Sequence, residues 1–435
     1  MKRIVGIVAL AAVATSVTFA ELKTSLNVRM GGSVVSHKMM DDSDKNTTKL
    51  MDIGSSDFGG DGFTFKASNE YAGVTLNYAP SLQTKENGGN QGKGFWSGGN
   101  GVELNAWLQP TEWLKFQIGA HKDGIFTAEQ MKKDTDDTSW SGAGKYAFLH
   151  KPGVITQKST GYFIDSLVDV GNGGQAYLFA DFSFQDIGPG SLTIRPTFVS
   201  TGVNFLQKKD TKPSDVTMNT APGLLALYKI DDLITVNLDF QMPTNKDIAA
   251  GLFVSPSVLP DLQLMVGGTF STNLSSTEDN LGYITKDSTP ITITRDTTYF
   301  AVDLRARYVA GDFHIANAFN LTGASEDKAV DQKNGSKAMG NMEIWDALFL
   351  TYKLNDSWTV TGNVQIDAVT GVTNAKGKDA TILDLYVTPG IMYTVGKGAT
   401  ITCGVHVNFL DLADGMDDKL NSTTISVPFL FRVKM

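Results

Sequence analysis

The sequence predicts an all-β protein, a transmembrane antiparallel up-and-down barrel of about eighteen strands, with sixteen as the alternative count. Three observations predict this fold. Apolar and polar residues alternate with a period of two in many short segments, the links between segments are alternately short and long, and aromatic residues flank the short links. The composition agrees, because 44 Gly, 13 Pro and 10% aromatic residues describe a turn-rich chain.

The first twenty residues have the pattern of a secretory signal peptide. Lys2 and Arg3 precede an apolar run, which gives way to small residues before the charged Glu21. The run is too short to span a bilayer as a helix. We therefore expect a signal peptide over residues 1–20, cleaved after Ala20, and one barrel domain over residues 21–435.

The alternating segments define the expected strands. In the first of them Leu22, Leu26 and Met30 share one face, while Lys23 and Arg29 share the other. The same pattern recurs along the chain and predicts strands at 22–35, 62–69, 73–80, 101–109, 114–121, 175–184, 191–199, 222–229, 233–242, 248–256, 262–271, 298–308, 313–321, 342–353, 358–368, 381–394, 399–409 and 423–435.

The links between these segments differ systematically in length. Short links, such as 110–113 and 396–398, alternate with long ones rich in Gly, Ser, Asp, Lys and Thr. This alternation is typical of outer-membrane barrels, which have short periplasmic turns and long extracellular loops. The third long link, about 122–174, is the longest.

Aromatic residues beside the short links distinguish a membrane barrel from a soluble sandwich, which also alternates apolar and polar residues. Nearly all of them share the apolar face, and aromatic rings favour the level of the lipid headgroups. We therefore predict a periplasmic aromatic girdle formed by Trp113, Phe184, Tyr228, Tyr308, Phe313, Tyr352, Trp358 and Tyr393.

The polar face would then line a water-filled interior, because a barrel of sixteen to eighteen strands is too wide for its side chains to fill. The charged candidates for this lining are Arg29, Lys66, Glu103, Lys115, Asp181, Arg195, Asp239, Asp303, Arg305, Arg307, Glu343, Asp367 and Asp384. One interpretation is a wall of arginines (Arg29, Arg195, Arg305 and Arg307) facing a wall of carboxylates, which would set ion preference. The other is a set of weak neutralising pairs, so anion and cation preference are both left open.

Two polar residues break the pattern. Asn317 and Asp346 have the parity of the apolar face, where a charge at the middle of the bilayer is costly. For Asp346 we expect a place near a loop end, at a contact between protomers, or beside a β-bulge that shifts the register.

Other kinds of function receive no support from the sequence. The five His residues are dispersed, so no metal site is expected, and no catalytic motif or cofactor-binding motif occurs. A net charge of −9 argues against a nucleic-acid partner. The chain is therefore not expected to be an enzyme.

The final segment carries a resemblance to a known family. Ile425, Val427, Phe429, Phe431 and Val433 alternate with more polar neighbours up to Met435. Together with the strand pattern, this resembles the bacterial outer-membrane porin superfamily, although that family favours a terminal Phe. The resemblance implies an outer-membrane location, recognition of the C-terminal strand by the barrel-assembly machinery, a third loop that folds inward, and a homotrimer.

Three functions remain open on this evidence. The first is a porin for passive diffusion of small hydrophilic solutes, with outer-membrane lipid as its surroundings. The second is a substrate-selective channel for a sugar or a hydrophobic nutrient, since inward aromatic residues such as Trp345 and Tyr386 could stack on a solute. The third is a surface adhesin or structural barrel that acts through its long loops.

Overall fold

The computed structural model describes residues 21–40, 45–53, 62–78, 102–119, 177–200, 220–241, 249–257, 259–284, 290–324, 330–331, 342–373, 379–396, 398–410 and 422–435. The expected signal peptide, residues 1–20, and the expected long loop, residues 122–174, lie outside the described residues. Within the described ranges, no helix has the length and apolar character needed to cross a membrane.

The described secondary structure consists of antiparallel β-strands, so the all-β prediction is confirmed. The strands are Glu21–Met40 (β1), Lys45–Ile53 (β2), Gly62–Ser68 (β3), Ala72–Tyr78 (β4), Val102–Thr111 (β5), Leu114–Gly119 (β6), Tyr177–Ile187 (β7), Gly190–Ser200 (β8), Thr220–Ile230 (β9), Ile234–Gln241 (β10), Ala249–Pro256 (β11), Leu262–Ile284 (β12), Pro290–Ala310 (β13), Phe313–Ala324 (β14), Val330–Asp331 (β15), Met342–Lys353 (β16), Trp358–Thr373 (β17), Asp379–Val387 (β18), Gly390–Thr394 (β19), Ala399–Gly404 (β20), His406–Leu410 (β21) and Ser422–Lys434 (β22).

The strands pair in an up-and-down order that returns to its start. Strands at adjacent positions in the sheet pair with each other, and β1 pairs with β3 on one side and with β22 on the other. At this seam Val28 faces Val433 and Met30 faces Phe431. The described sheet is therefore a closed ring, and closure gives backbone N–H and C=O groups partners on both sides of every strand.

The 22 strand segments occupy eighteen positions around this ring. β2 and β3 both pair with β1, along its far and near halves. Likewise β18 and β19 both pair with β17, β20 and β21 both pair with β22, and β15 continues beyond β14 along β13. Four pairs of segments thus share a position, so the 22 described segments occupy eighteen positions around the ring.

Short turns connect the strands at one end of the ring. Asn69 and Asn355 each close such a turn with a side-chain oxygen that accepts hydrogen bonds from backbone N–H groups two and three residues further on. Gly311, with φ 59°, gives the β13–β14 turn a left-handed residue that carries no Cβ penalty. Because each strand reverses the direction of the last, the described strand ends that are not joined by short turns lie at the opposite end.

Candidate functional site

One face of the closed sheet is mainly apolar and the other mainly polar, and the apolar face is the exposed one. Exposed apolar side chains alternate with buried polar ones along the strands, which reverses the pattern of a soluble core. The exposed set includes Leu104, Ile118, Leu178, Phe198, Leu238, Leu252, Phe300, Val302, Ile366, Val427 and Phe431. The buried set includes Asn105, Gln117, Asp181, Arg195, Asn237, Asp239, Asn363, Gln365, Asp367 and Arg432. We call these the outer face and the inner face.

All eight predicted girdle residues lie at the short-turn end. Exposed aromatic residues there are Trp113, Phe184, Tyr308, Phe313, Tyr352 and Trp358, while Tyr228 and Tyr393 are half-buried. The Trp358 and Tyr393 rings are 4.6 Å apart, and the Tyr228 hydroxyl donates a hydrogen bond to the Ile187 carbonyl. Tyr71, in the β3–β4 turn, is exposed at the same end and was not among the predicted residues.

The best-defined charged contact of the inner face joins β7 to β8. The Arg195 guanidinium donates to both carboxylate oxygens of Asp181, over 2.5 Å from Nε to Oδ1 and 2.8 Å from Nη2 to Oδ2. The Phe179 ring lies 3.8 Å from the Arg195 guanidinium carbon. Only 1% of Arg195 and 7% of Asp181 is exposed, so this is an enclosed, bidentate ion pair.

Lys115 extends this charged group on the neighbouring strand. It faces Asp181 across the β6–β7 ladder, and its ammonium lies 5.2 Å from the centre of the Trp107 ring. Asp239 is also buried on the inner face, on β10. Carboxylate and basic side chains therefore alternate around this part of the ring, which favours the neutralising-pair interpretation.

The predicted wall of four arginines is not formed. Arg29 lies at the seam on β1, Arg195 on β8, and Arg305 and Arg307 on β13, so several strands separate each group from the next around the ring. Sequence parity assigns a residue to a face but not to a place around that face. Arg307 donates a hydrogen bond to the Gln263 side chain over 3.3 Å.

The strand register instead places several residues of like charge opposite one another, and two of these pairs are at or beside the seam. Lys23 faces Lys66 across β1 and β3, and Arg29 faces Arg432 across β1 and β22. On β17 and β18, Asp367 faces Asp384. Four predicted lining residues have inner-face register positions but side chains outside the described set, namely Arg29 on β1, Glu103 on β5, Asp303 on β13 and Glu343 on β16.

A strip of polar and aromatic side chains covers the inner face of β16 to β21. Trp345 faces Asp367, Gln365 faces Tyr386, and Asn363 pairs with Thr388. The Thr388 hydroxyl is 2.6 Å from His406 Nδ1, and the Tyr386 hydroxyl donates to Asp384 over 3.4 Å. Sequence reasoning singled out the two aromatic residues but missed the amides, whose shared parity with Asp367 was the available signal.

The inner face also contains an apolar patch that was not expected. Leu225, Phe253 and Met265 are buried there on β9, β11 and β12. The Phe253 ring lies over Gly267, where a Cβ would come within 1.9 Å of the ring. The inner face is therefore polar over most, but not all, of its described surface.

The two pattern-breaking residues do lie on the outer face, where they contact each other. The Asn317 amide donates to Asp346 Oδ1 over 2.7 Å, and to the Ala347 carbonyl over 3.4 Å. The ladders of β16 with β14 and β17 run through Asp346 without a register shift, and β16 continues beyond it in both directions. The expectations of a loop-end position or a β-bulge were therefore wrong for Asp346.

No group of three His, Cys, Asp or Glu residues suited to a metal ion occurs within the described part of the chain. Cys403 is exposed on the outer face.

Comparisons with known proteins give similarity at the level of structure. No family model matches the sequence, and no curated protein matches it. The structure is similar to a loop L8 deletion mutant of OmpT, an outer membrane protein of Vibrio cholerae, with 13% identity, coverage of 95% of this chain and 99% of that chain, and a TM-score of 0.46. It is also similar to OccK2 (OpdF) of Pseudomonas aeruginosa, with 12% identity, coverage of 95% and 98%, and a TM-score of 0.46.

A trimer form of in-vitro folded OmpT from Vibrio cholerae is similar as well, with 13% identity, coverage of 96% and 100%, and a TM-score of 0.44. All three TM-scores lie below 0.5.

Proposed function

We propose that this protein is a porin of the bacterial outer membrane, exported by a signal peptide cleaved after Ala20, which lets small hydrophilic solutes diffuse through its barrel. The observation that carries the proposal is the reversed pattern of the closed wall, with apolar side chains exposed outside and polar ones enclosed inside. Lipid accepts such an outer face, and ring closure gives the strand backbones the partners that hydrocarbon cannot offer.

The size of the ring supports a channel. Barrels of about eight strands are filled by their own side chains, whereas those of about sixteen to eighteen leave an aqueous lumen. With eighteen positions, this ring belongs to the wider class. The charged candidates on its inner face would then act as fixed charges along the solute path, and the girdle would mark the periplasmic headgroup level.

Reconstitution into a planar lipid bilayer tests the proposal. We expect stable, ohmic conductance steps, and swelling of proteoliposomes in sugars up to a size limit. A folded, inserted barrel that gives neither conductance nor swelling would contradict the channel, and would favour an adhesin or structural role.

A charge variant tests whether ions pass along the described wall. Arg305→Gln with Arg307→Gln removes two positive charges from the inner face, so the reversal potential in a salt gradient should shift towards cation preference. The matched control is Lys229→Gln with Lys353→Gln, which removes two exposed charges at the short-turn end. Equal shifts in the two variants would place the conducting path elsewhere.

A substrate-selective channel is the second candidate, and the strip on β16 to β21 favours it. Asn363 and Trp345 are enclosed, at 8% and 6% exposure, and the Asn363 amide atoms and Trp345 Nε1 have no hydrogen-bond partner among the described residues. Buried polar atoms of this kind are usually satisfied by water or a ligand. Saturable block of the conductance by one sugar, weakened in Trp345→Ala, would favour this function over passive diffusion.

We further propose that β22 is the strand recognised by the barrel-assembly machinery. Its outer face carries exposed Ile425, Val427, Phe431 and Val433, and its inner face contributes Arg432. The variant Phe431→Asp places a charge on the apolar face of β22 and leaves its backbone hydrogen bonds in place. We expect slower membrane insertion by the purified machinery, while insertion of Leu104→Asp, which changes the outer face of β5 and not of β22, stays closer to the wild-type rate.

A further inference from the structure

The outer-face pair Asn317–Asp346 lies well within the apolar belt. Asp346 is six residues from the girdle residue Tyr352 along β16, and Asn317 is four from Phe313 along β14. At roughly 3.3 Å per residue, tilted by roughly 40°, these separations correspond to about 10–15 Å of depth, near the middle of a belt about 25 Å tall. The pair therefore lies near the centre of the hydrocarbon region.

The surroundings of the pair are apolar. Leu348 lies directly opposite Asn317, and Phe319 and Ile366 lie opposite Asp346 on the two adjacent strands. Among the outer-face positions whose side chains are described, no other carboxylate, amide or basic group occurs at this depth. Each polar atom left without a partner in hydrocarbon costs free energy, which makes this pair an anomaly on a lipid-facing wall.

The hydrogen-bonding atoms of Asn317 and Asp346 are not all used within one chain. Asn317 Nδ2 makes a short bond to Asp346 Oδ1 and a long one, 3.4 Å, to a backbone carbonyl. The hydrogen bonds of these two side chains all start from Asn317 Nδ2, so Asp346 Oδ2 and Asn317 Oδ1 make none with the described residues. The pair thus offers both an amide hydrogen that is weakly used and a carboxylate oxygen that can accept it.

We propose that β14 and β16 form the contact with a second copy of this chain, with the symmetry axis passing close to Asn317 and Asp346. This inference rests on the proposed membrane location. An axis along the membrane normal keeps every residue at its own depth, so the pair of one copy meets the same pair of the next copy at mid-membrane. The amide of one copy then donates to the free carboxylate oxygen of its partner.

Two features support a second copy as the occupant. The pair is self-complementary, having a donor and an acceptor side by side, and the described outer face provides no other group at this depth to complement it. Small outer-face residues flank it, with Ala306 opposite Asn317 on β13 and Gly362 opposite Leu350 on β17. Small residues let two membrane-embedded surfaces approach closely enough for such hydrogen bonds.

Cross-linking between matched positions tests the contact. In a Cys403→Ser background, Leu348→Cys introduces a thiol beside the pair, four residues from Tyr352. The control is Ile118→Cys on β6, four residues from Leu114 and on the far side of the ring. With copper phenanthroline in lipid vesicles, we expect the Leu348→Cys protein to form disulfide-linked dimers many-fold more than the Ile118→Cys protein.

A second variant connects the cross-link to the polar pair. Adding Asn317→Leu and Asp346→Leu to Leu348→Cys should reduce cross-linking to the level of the Ile118→Cys control, while the heat-dependent gel shift of a folded barrel persists. Equal cross-linking at positions 348 and 118, or cross-linking unaffected by the two leucines, would overturn the proposal. The single-copy conductance is measured on the same variants, so loss of the contact is distinguishable from failure of the channel.

Discussion

Two polar pairs that join neighbouring strands, one on the inner face and one on the outer face, differ in how fully their hydrogen-bonding groups are used. Inside, the Asp181 carboxylate receives two hydrogen bonds from Arg195, whose guanidinium also lies against an aromatic ring. Outside, Asn317 and Asp346 share one short bond among apolar neighbours. The enclosed pair is complete within one chain, whereas the outer pair is complete only with an additional partner.

The largest effect is expected from breaking the inner pair. Asp181→Ala removes both hydrogen bonds to the carboxylate from a guanidinium that is 1% exposed. Loss of one partner of a buried ion pair typically costs about 3–5 kcal/mol. We expect a loss of this size in the free energy of unfolding, measured by urea titration in lipid vesicles with tryptophan fluorescence.

The matched control replaces both inner partners. Asp181→Leu with Arg195→Met leaves no charge behind, so it should recover most of the stability lost in Asp181→Ala. If the single and double variants lose the same free energy, the inner pair is not the enclosed contact described above.

The outer pair should respond in the opposite direction. In vesicles dilute enough to hold single copies, Asn317→Leu with Asp346→Leu is expected to stabilise the barrel by about 1–2 kcal/mol, because two polar groups leave the hydrocarbon. Urea unfolding measures this as well. A double variant less stable than the parent chain would indicate that the pair stabilises the isolated barrel and does not depend on a partner.

A smaller loss of stability is expected at the short-turn end of the barrel. Trp358→Ala removes a ring that contacts Tyr393 at 4.6 Å. Because both rings are partly exposed, we expect a loss of about 1–2 kcal/mol, with most of it recovered by Trp358→Phe. Equal losses in the two variants would assign the effect to the indole N–H and not to ring contact.

The smallest effect is expected from an ion pair with solvent on all sides. In the β16–β17 turn the Lys353 ammonium donates a hydrogen bond to Asp356 over 2.8 Å. This hydrogen bond lowers the pKa of the Asp356 carboxyl below its ordinary value of 3.8. The ion pair therefore stabilises the fold at pH values above the ordinary pKa. This stabilisation is lost as the pH falls through the lower pKa of Asp356 in the folded state. Solvent screening keeps it small, so Asp356→Asn should leave the unfolding midpoint unchanged at neutral pH. A clear drop in the unfolding midpoint of Asp356→Asn would show that the ion pair is shielded from solvent.

The faces of the wall were predictable from sequence because side chains alternate strictly along a strand. Every expected segment overlaps an observed strand. Strand ends were less predictable: β12 and β13 continue to Ile284 and from Pro290, beyond the expected limits of 271 and 298. Those extensions are rich in Ser, Thr, Asn and Asp, and backbone pairing between the two strands needs no apolar alternation.

Contacts between strands were not predictable from the alternation of apolar and polar residues. Parity placed Asn317 and Asp346 on the outer face, but their contact depends on the register of β14 with β16, which joins residues 29 positions apart. For the same reason, four arginines of shared parity proved to lie on separate parts of the ring. Parity fixes one coordinate of a barrel residue, and the position around the circumference comes from strand order.

The seam between β1 and β22 constrains how the barrel can form. Asn27 pairs with Lys434, so the first described strand gains its second neighbour only when the last one arrives. Until that moment the growing sheet has two open edges, whose exposed backbone groups can join other chains. Contacts of such long sequence separation also form slowly. The sheet therefore loses its open edges only in the last step, when Ser422–Lys434 pairs with the first described strand.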